Sequence, residues 1–425
     1  MLLPDNRPVG LISPQPWLTS PTTRRVMTAL NAGGKAARFV GGCVRDGILH
    51  RPVKDIDIAT PEPPDQVIRL LEQAGIKAVP TGIEHGTVTA VADGQPFQIT
   101  TLRKDVQTDG RHAVVAFTDD WHEDASRRDF TINAMSADMD GNVWDPFDGL
   151  ADLGIGAVRF IGSPEDRIEE DVLRLLRFFR FHAHYGRGAL DDLGLVACRK
   201  LAGRLVELSA ERVAAEMLRL LEAPDPVPVL LVMRAEGILA PILPEAQGMD
   251  RLKLLVWLES RALARPDVEP DALRRLASLL APDPAEAASV GARLRLSNQQ
   301  IDRLAVIAGL WPQIDSAMGP QPARRLLRRY GSSHFIDGTL VSWAEKRRLS
   351  SHPNSADTAS WMGLLDVADN WRDVELPIRG QDALEMGVPA GPRLGALLAK
   401  VDAWWEAADY APDREACLQY LRTLI

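Results

Sequence analysis

Residues Phe39–Thr60, FVGGCVRDGILHRPVKDIDIAT, decide how this chain is read. A short β-rich run enters the Gly41-Gly42 turn, and Asp55 and Asp57 follow with one isoleucine between them. A strand alternates faces with period two, so the pattern predicts two carboxylates on one face and Ile56 and Ile58 in the core. Two carboxylates so placed can share divalent cations about 3.5 to 4 Å apart, the arrangement used for in-line phosphoryl transfer. Magnesium is the natural ion, because it takes hard oxygen ligands and keeps waters for substrate phosphates. An Asp-x-Asp pair alone is common on solvated strand edges. Here the Gly-Gly turn, which lets backbone approach a phosphate, and Arg45, whose guanidinium can grip a triphosphate, shift the reading to phosphate chemistry.

Outward from this stretch, the first 150 residues mix two periods. ARFVGG, DIDIAT, GTVTAVADG, QPFQITTLR and HAVVAFT are short, β-rich and bounded by Gly, Pro or Asp, and predict strands. TRRVMTALNAGG and PDQVIRLLEQAG have apolar residues at helical spacing and stop at Gly, and predict helices. From Gly162 the character changes. GSPEDRIEEDVLRLLRFFRFHAHYG offers Ser163 as an N-cap, Pro164 at the first helical position and acids in the first turn. Helical segments then follow to Ile425. The expected fold is an α+β N-terminal head with a mixed β-sheet, followed by an all-helical remainder. The expected division is a head at 1–155, a helical neck at 156–225, a helical body at 226–345 and a helical tail at 346–425.

Composition narrows the function. The chain has 425 residues, 46% hydrophobic and 25% charged, which is too long for one ordinary core and typical of a globular protein. No apolar run reaches the length of a membrane span, and the N-terminal residues lack a secretion signal, so the expected location is cytoplasmic. Cys43, Cys198 and Cys417 make neither a disulfide framework nor a zinc site. There is no HExxH and no His-Asp dipeptide, which argues against zinc hydrolases and HD phosphohydrolases; His182 and His184 read as helix-surface residues. A net charge of −9 opposes non-specific attraction to nucleic acid, yet residues 321–350 carry a net +5 and residues 351–425 a net −6. Arg324, Arg325, Arg328 and Arg329 in the basic stretch are therefore candidate RNA contacts, with a solvated helix face as the alternative.

With these residues in view, GGCVRDGILHRPVKDIDIAT resembles the GGxVRD…DxD signature of the class II nucleotidyltransferases of the DNA polymerase β superfamily, which comprise tRNA CCA-adding enzymes and bacterial poly(A) polymerases. RRDFTINAM (Arg127–Met135), EDVLRLLRFFRF (Glu170–Phe181) and ELSAERVAAEMLRLL (Glu207–Leu221) are similar to the family's next motifs, in order. IRGQDALEMGVPAGPRLGALL (Ile378–Leu398) resembles a C-terminal segment of bacterial CCA-adding enzymes. The resemblance is looser between 230 and 375.

The resemblance implies an enzyme that adds C, C and A to the 3′ end of tRNA from CTP and ATP, with magnesium held by Asp55 and Asp57 and no obligate protein partner. It assigns Gly41, Gly42, Arg45, Asp46, Arg128, Asp129 and Asn133 to the nucleotide. It makes Asp171 and Arg174 an amino-acid template for the base, and Arg177 and Arg180 candidates for the triphosphate. On one helix, Asp171 and Arg174 would share a face; a plain i, i+3 salt bridge is the alternative. The template's chemistry can be derived. Cytosine and adenine both present an amino donor beside a bare ring nitrogen, which suits a carboxylate acceptor and a guanidinium donor. Uracil and guanine reverse that pattern.

The stretch 103–124, with turn residues at Asp109-Gly110, matches the family's flexible loop, or is a plain hairpin. Gln98 stands where many relatives have Glu, so a third carboxylate is missing. A poly(A) polymerase, an enzyme adding only CC or only A, and a non-catalytic RNA-binding relative are the competing readings. The segment after Thr81 lacks the basic run associated with the first, and the intact metal acids disfavour the last.

Overall fold

The computed structural model describes residues 7–109, 112–263, 265, 268–350 and 355–425. The chain forms two compact units, Met1–Pro244 and Glu245–Ile425.

The first unit is built on ten strands: β1 (Gly10–Leu11), β2 (Arg38–Val40), β3 (Asp57–Thr60), β4 (Lys77–Gly82), β5 (Thr87–Ala92), β6 (Gln95–Thr101), β7 (Arg103–Asp109), β8 (His112–Phe117), β9 (Ser136–Ala137) and β10 (Asn142–Trp144). Eight make one sheet in the order β1-β10-β9-β2-β3-β6-β5-β4, and β7 and β8 pair separately as a hairpin. Only the β3–β6 pair is parallel, so the sheet is mixed as expected. Along β5 the side chains alternate, with Val88, Ala90 and Ala92 buried. Helices Pro21–Asn31 and Pro64–Gln73 pack on each other and on β5, burying Val26, Met27, Leu30, Val67 and Leu71. Both begin with proline, and the second is followed by Gly75 at φ 65°, the left-handed C-terminal stop that glycine permits.

The last strand, β10, ends at Trp144, and helices follow. Ser163 caps the helix Pro164–Glu170 by accepting from Asp166 N–H, as the sequence predicts. That helix does not run on. Asp171 is extended (φ −152°, ψ 107°), and a second helix, Leu173–Tyr185, starts after it. Phe130, Phe160, Phe178 and Phe181 form an aromatic cluster with centroids 4.8 to 6.4 Å apart, which fixes the RRDFTINAM segment against this second helix. His182, expected on the surface, is buried, on a helix that also buries Leu175, Leu176, Phe178, Phe179 and Phe181.

The second unit is helical throughout its described residues. Its interior holds an ionic network in which Arg274 and Arg275 both donate to the fully buried Glu259, while Arg274 and Arg303 donate to Asp337. A separate core gathers Ile378, Ala383, Val401, Trp405, Cys417 and Leu421.

Candidate active site

The site begins at the Gly41-Gly42 turn between β2 and the helix Gly42–Ile48. Gly41 has φ 70°, and a Cβ there would stand 3.1 Å from Arg128 Nη1, so conformation and space both call for glycine. Beside the turn lies a cavity of about 480 Å³ lined by Gly41, Gly42, Arg45, Asp57, Arg127, Arg128, Asp129, Asn133, Asp171, Leu173, Arg174, Arg177, Phe181 and Arg212. Four separate stretches of sequence thus meet in one concavity. Its six arginines come from all four, against the three carboxylates of Asp57, Asp129 and Asp171.

Asp57 is the first residue of β3 and pairs in register with Gln98 of β6. Burial raises the pKa of its carboxyl; the charge of Arg128 opposes the rise and that of Asp55 adds to it. Asp55 is exposed, lies just before the strand and does not line the cavity. The named strand starts at Asp57, so Asp55 stands two residues ahead of it, yet the alternation expected from sequence holds across the pair: Ile56 and Ile58 are buried, Asp55 is exposed and Asp57 half-buried, and the Ile56 carbonyl accepts from Gln98 N–H at 3.2 Å.

Asp129 behaves oppositely. Burial works against its charge, yet Arg177 (2.5 and 2.7 Å), Asn133 Nδ2 and the Phe130 N–H hold its pKa below the usual range. Asn133 in turn accepts from Arg45 Nη1 at 2.6 Å. Arg45 also donates to Asp46 and to the Tyr185 hydroxyl, and its guanidinium lies 4.1 Å from the Tyr185 ring centroid. Four of its five N–H groups are thereby engaged, so Arg45 supports the wall of the cavity more than it reaches into it. Asp46 does not line the cavity and serves as Arg45's counter-ion.

Asp171 and Arg174, expected as a base template, both line the cavity but do not share one helix face. Because the helix breaks at Asp171, this residue is presented from an extended bend, where its Oδ1 accepts from Leu173 N–H at 3.1 Å. Arg212 Nη2 binds both Asp171 oxygens, at 3.0 and 2.7 Å. Arg174 donates to Glu170 at 2.5 Å and to the carbonyls of Arg167 and Arg127. Arg180, grouped with Arg177 on sequence, is corrected: it does not line the cavity and pairs with buried Glu216 at 2.5 Å. Arg212, Glu170 and Tyr185 received no role from sequence. Arg212 lies within the ELSAERVAAEMLRLL motif, which was the available signal, whereas nothing local marks its partner 41 residues away.

Residues 37–159 match the family described as Poly A polymerase head domain, and residues 194–249 the one described as Probable RNA and SrmB-binding site of polymerase A. The chain is 32% identical to the mitochondrial CCA tRNA nucleotidyltransferase 1 of Mus musculus, over 91% of this chain and 86% of that protein. It is 31% identical to the CCA-adding enzyme of Lactobacillus johnsonii, over 88% of this chain and 90% of that one. The chain belongs to the class II CCA-adding enzyme family. The crystal structure of the Bacillus stearothermophilus CCA-adding enzyme in complex with CTP superposes with a TM-score of 0.76 at 27% identity, covering 96% of this chain and 98% of that one. CCA-adding enzymes thus share both the mixed-sheet head and the helical remainder seen here.

For this family member, the basic stretch of the second unit carries a further finding. Arg324 pairs with Asp409, Arg325 with Glu406 and Arg328 with Asp402, so three of the four arginines read as RNA contacts are neutralised by acids of their own unit. Arg329 is exposed, with its guanidinium 5.2 Å from the Tyr330 ring centroid.

Members of this family depend on a divalent metal. The donor set here fits such an ion: it is all oxygen, and Asp57 carries a charge that burial and Asp55 both disfavour and Arg128 offsets in part. Gln98, standing in register with Asp57, offers a neutral amide in place of a third carboxylate.

Proposed function

We propose that this chain adds C, C and A to the 3′ end of tRNA from CTP and ATP, releasing pyrophosphate. The observation that carries this reading is the single cavity in which Asp57, the Gly41-Gly42 turn and the Asp171 and Arg174 pair meet. Asp55 and Asp57 would hold magnesium. Bound there, the ion would activate the tRNA 3′-hydroxyl toward the α-phosphate and neutralise the departing pyrophosphate.

The protein's own groups do the rest. The Gly41-Gly42 backbone, Arg128 and Arg177 surround the triphosphate with donors, while Arg45, Asp46, Asp129 and Asn133 keep those donors in place. The Asp171 carboxylate accepts from the exocyclic amino group of cytosine or adenine. Arg174, with three of its hydrogen bonds already directed at protein acceptors, has N–H groups left, one of which donates to the ring nitrogen. Uracil and guanine would set a carbonyl against the Asp171 carboxylate and a ring N–H against the Arg174 guanidinium, and a site built on hydrogen bonds of this kind can reject a mismatch by about 10⁴.

In this reading residues 1–155 are the catalytic head and 156–225 the base-selecting neck. Residues 226–345 and 346–425 grip tRNA by shape and phosphate contacts, with Arg329 the member of the arginine group best placed to take part. The β7–β8 hairpin stands where the family's flexible loop is expected; residues 110 and 111 lie outside the described residues. No described helix is long and apolar enough to cross a membrane, and a cytoplasmic location is part of the proposal.

Substitution tests the roles directly. Asp57→Ala is expected to abolish incorporation of every nucleotide, whereas Arg174→Ala retains incorporation and loses the preference for CTP over UTP. Normal turnover in the first variant or wild-type preference in the second would remove those assignments.

A further inference from the structure

We infer that Arg212 is a specificity-determining positioning residue, which keeps the base-reading carboxylate of Asp171 out of the reach of Arg174. This rests on the proposed function of the cavity and adds a residue to it from a fourth segment of the chain.

The physical problem is that the two template groups are each other's natural partners. An Asp and an Arg three residues apart at a helix start form an ion pair readily, and a pair closed on itself shows no pattern to a base. The fold prevents this in two ways. The backbone turns out of helical geometry at Asp171, so the spacing no longer stacks the two side chains. Each group is then given a different partner of opposite charge: Arg212 lies across both oxygens of Asp171, and Glu170 takes Arg174 Nη1. A carboxylate has about four lone-pair positions, so the Leu173 N–H and the two Arg212 contacts leave an acceptor position for an amino group.

Arg212 is suited to this by its place. It sits in the first turn of the helix Ala210–Leu221, which packs on the helix Leu173–Tyr185, and Glu216, one turn further on, takes Arg180 and approaches Arg177 at 3.9 Å. One helix therefore carries a base for the template acid and an acid for the arginines behind it. Arg212 also lines the cavity and is part-exposed there, so it is not a core ion pair whose loss only unfolds the chain.

The test compares wild type, Arg212→Gln and Arg212→Lys in single-nucleotide extension of tRNA. It measures kcat and KM for CTP and UTP, with thermal unfolding recorded for each protein. In Arg212→Gln, Asp171 is free to close on Arg174. The expected result is a higher KM for CTP and a CTP-over-UTP ratio of kcat/KM reduced by about tenfold or more, as for loss of a charge-assisted bidentate contact. Arg212→Lys keeps the charge without the fork and is expected to fall between that variant and wild type. A wild-type ratio in both variants overturns the inference, as does a fall in kcat alone with the ratio intact. If Arg212→Gln does not fold, the ratio in Arg212→Lys decides in the same sense. Failure of wild type itself to use CTP would instead overturn the proposed function.

Discussion

Asp57 and Asp129 line the same cavity and titrate in opposite directions. A raised carboxyl pKa means that the folded state binds the proton more tightly than the unfolded chain does. The charged Asp57 therefore costs stability, and the cost grows as pH rises through its folded pKa. Replacing it by Asn is expected to raise the thermal midpoint at pH 7.5 without metal while abolishing activity; a lowered midpoint would contradict the electrostatic account. For Asp129, whose pKa is lowered, the stabilisation is present above the unfolded value of about 3.9 and is lost as pH falls through the folded pKa. Asp129→Asn should cost about 3 kcal/mol at pH 7, the low end for breaking a buried pair because Arg177 keeps Glu216 nearby. Denaturant unfolding at pH 7 and pH 3 measures both the loss and its decline in acid. The sequence shows which acids are present in these motifs, but not the sign of either shift, since burial and the arginine partners come from distant segments.

At the scale of elements, the turn and the helix break set the site. Gly41 is legible from sequence because the residue type itself reports the conformation. Gly41→Ala meets strain at φ 70°, ψ −125°, a conformation outside the left-handed helical region that L residues rarely adopt, of about 2 kcal/mol, and presses its Cβ toward Arg128. The expected outcome is a raised KM for nucleotide together with a thermal midpoint lowered by roughly 4 °C or more, and an unchanged KM would show that Arg128 does not depend on the turn. The strands β2, β3, β5, β6 and β8 were also legible, since each is written in alternating or β-branched residues. The weak alternation of β4 and the shortness of β1, β9 and β10 hid those strands. The break at Asp171 was illegible for another reason. Its local sequence is a good helix, and the Asx-type bond to Leu173 together with Arg212 outweighs that propensity through tertiary contact.

For the whole molecule, the sign of the charge proved a poor guide to partners. The net positive stretch at 321–350 looks like an RNA surface by count, yet its first three arginines are matched by Asp409, Glu406 and Asp402 from the acidic stretch that follows. Two opposite charge excesses adjacent in sequence are resolved by folding onto one another within the second unit. The head and its cavity, by contrast, were readable in outline because the four motifs keep their order and the fold collects them.

The central claim is the product of the reaction. Purified protein with magnesium, given tRNA ending at the discriminator base or at CC and supplied with CTP, ATP or both, should extend the first by C, C and A and the second by A, and then stop. A long adenosine ladder, or arrest after CC with both nucleotides present, would contradict it.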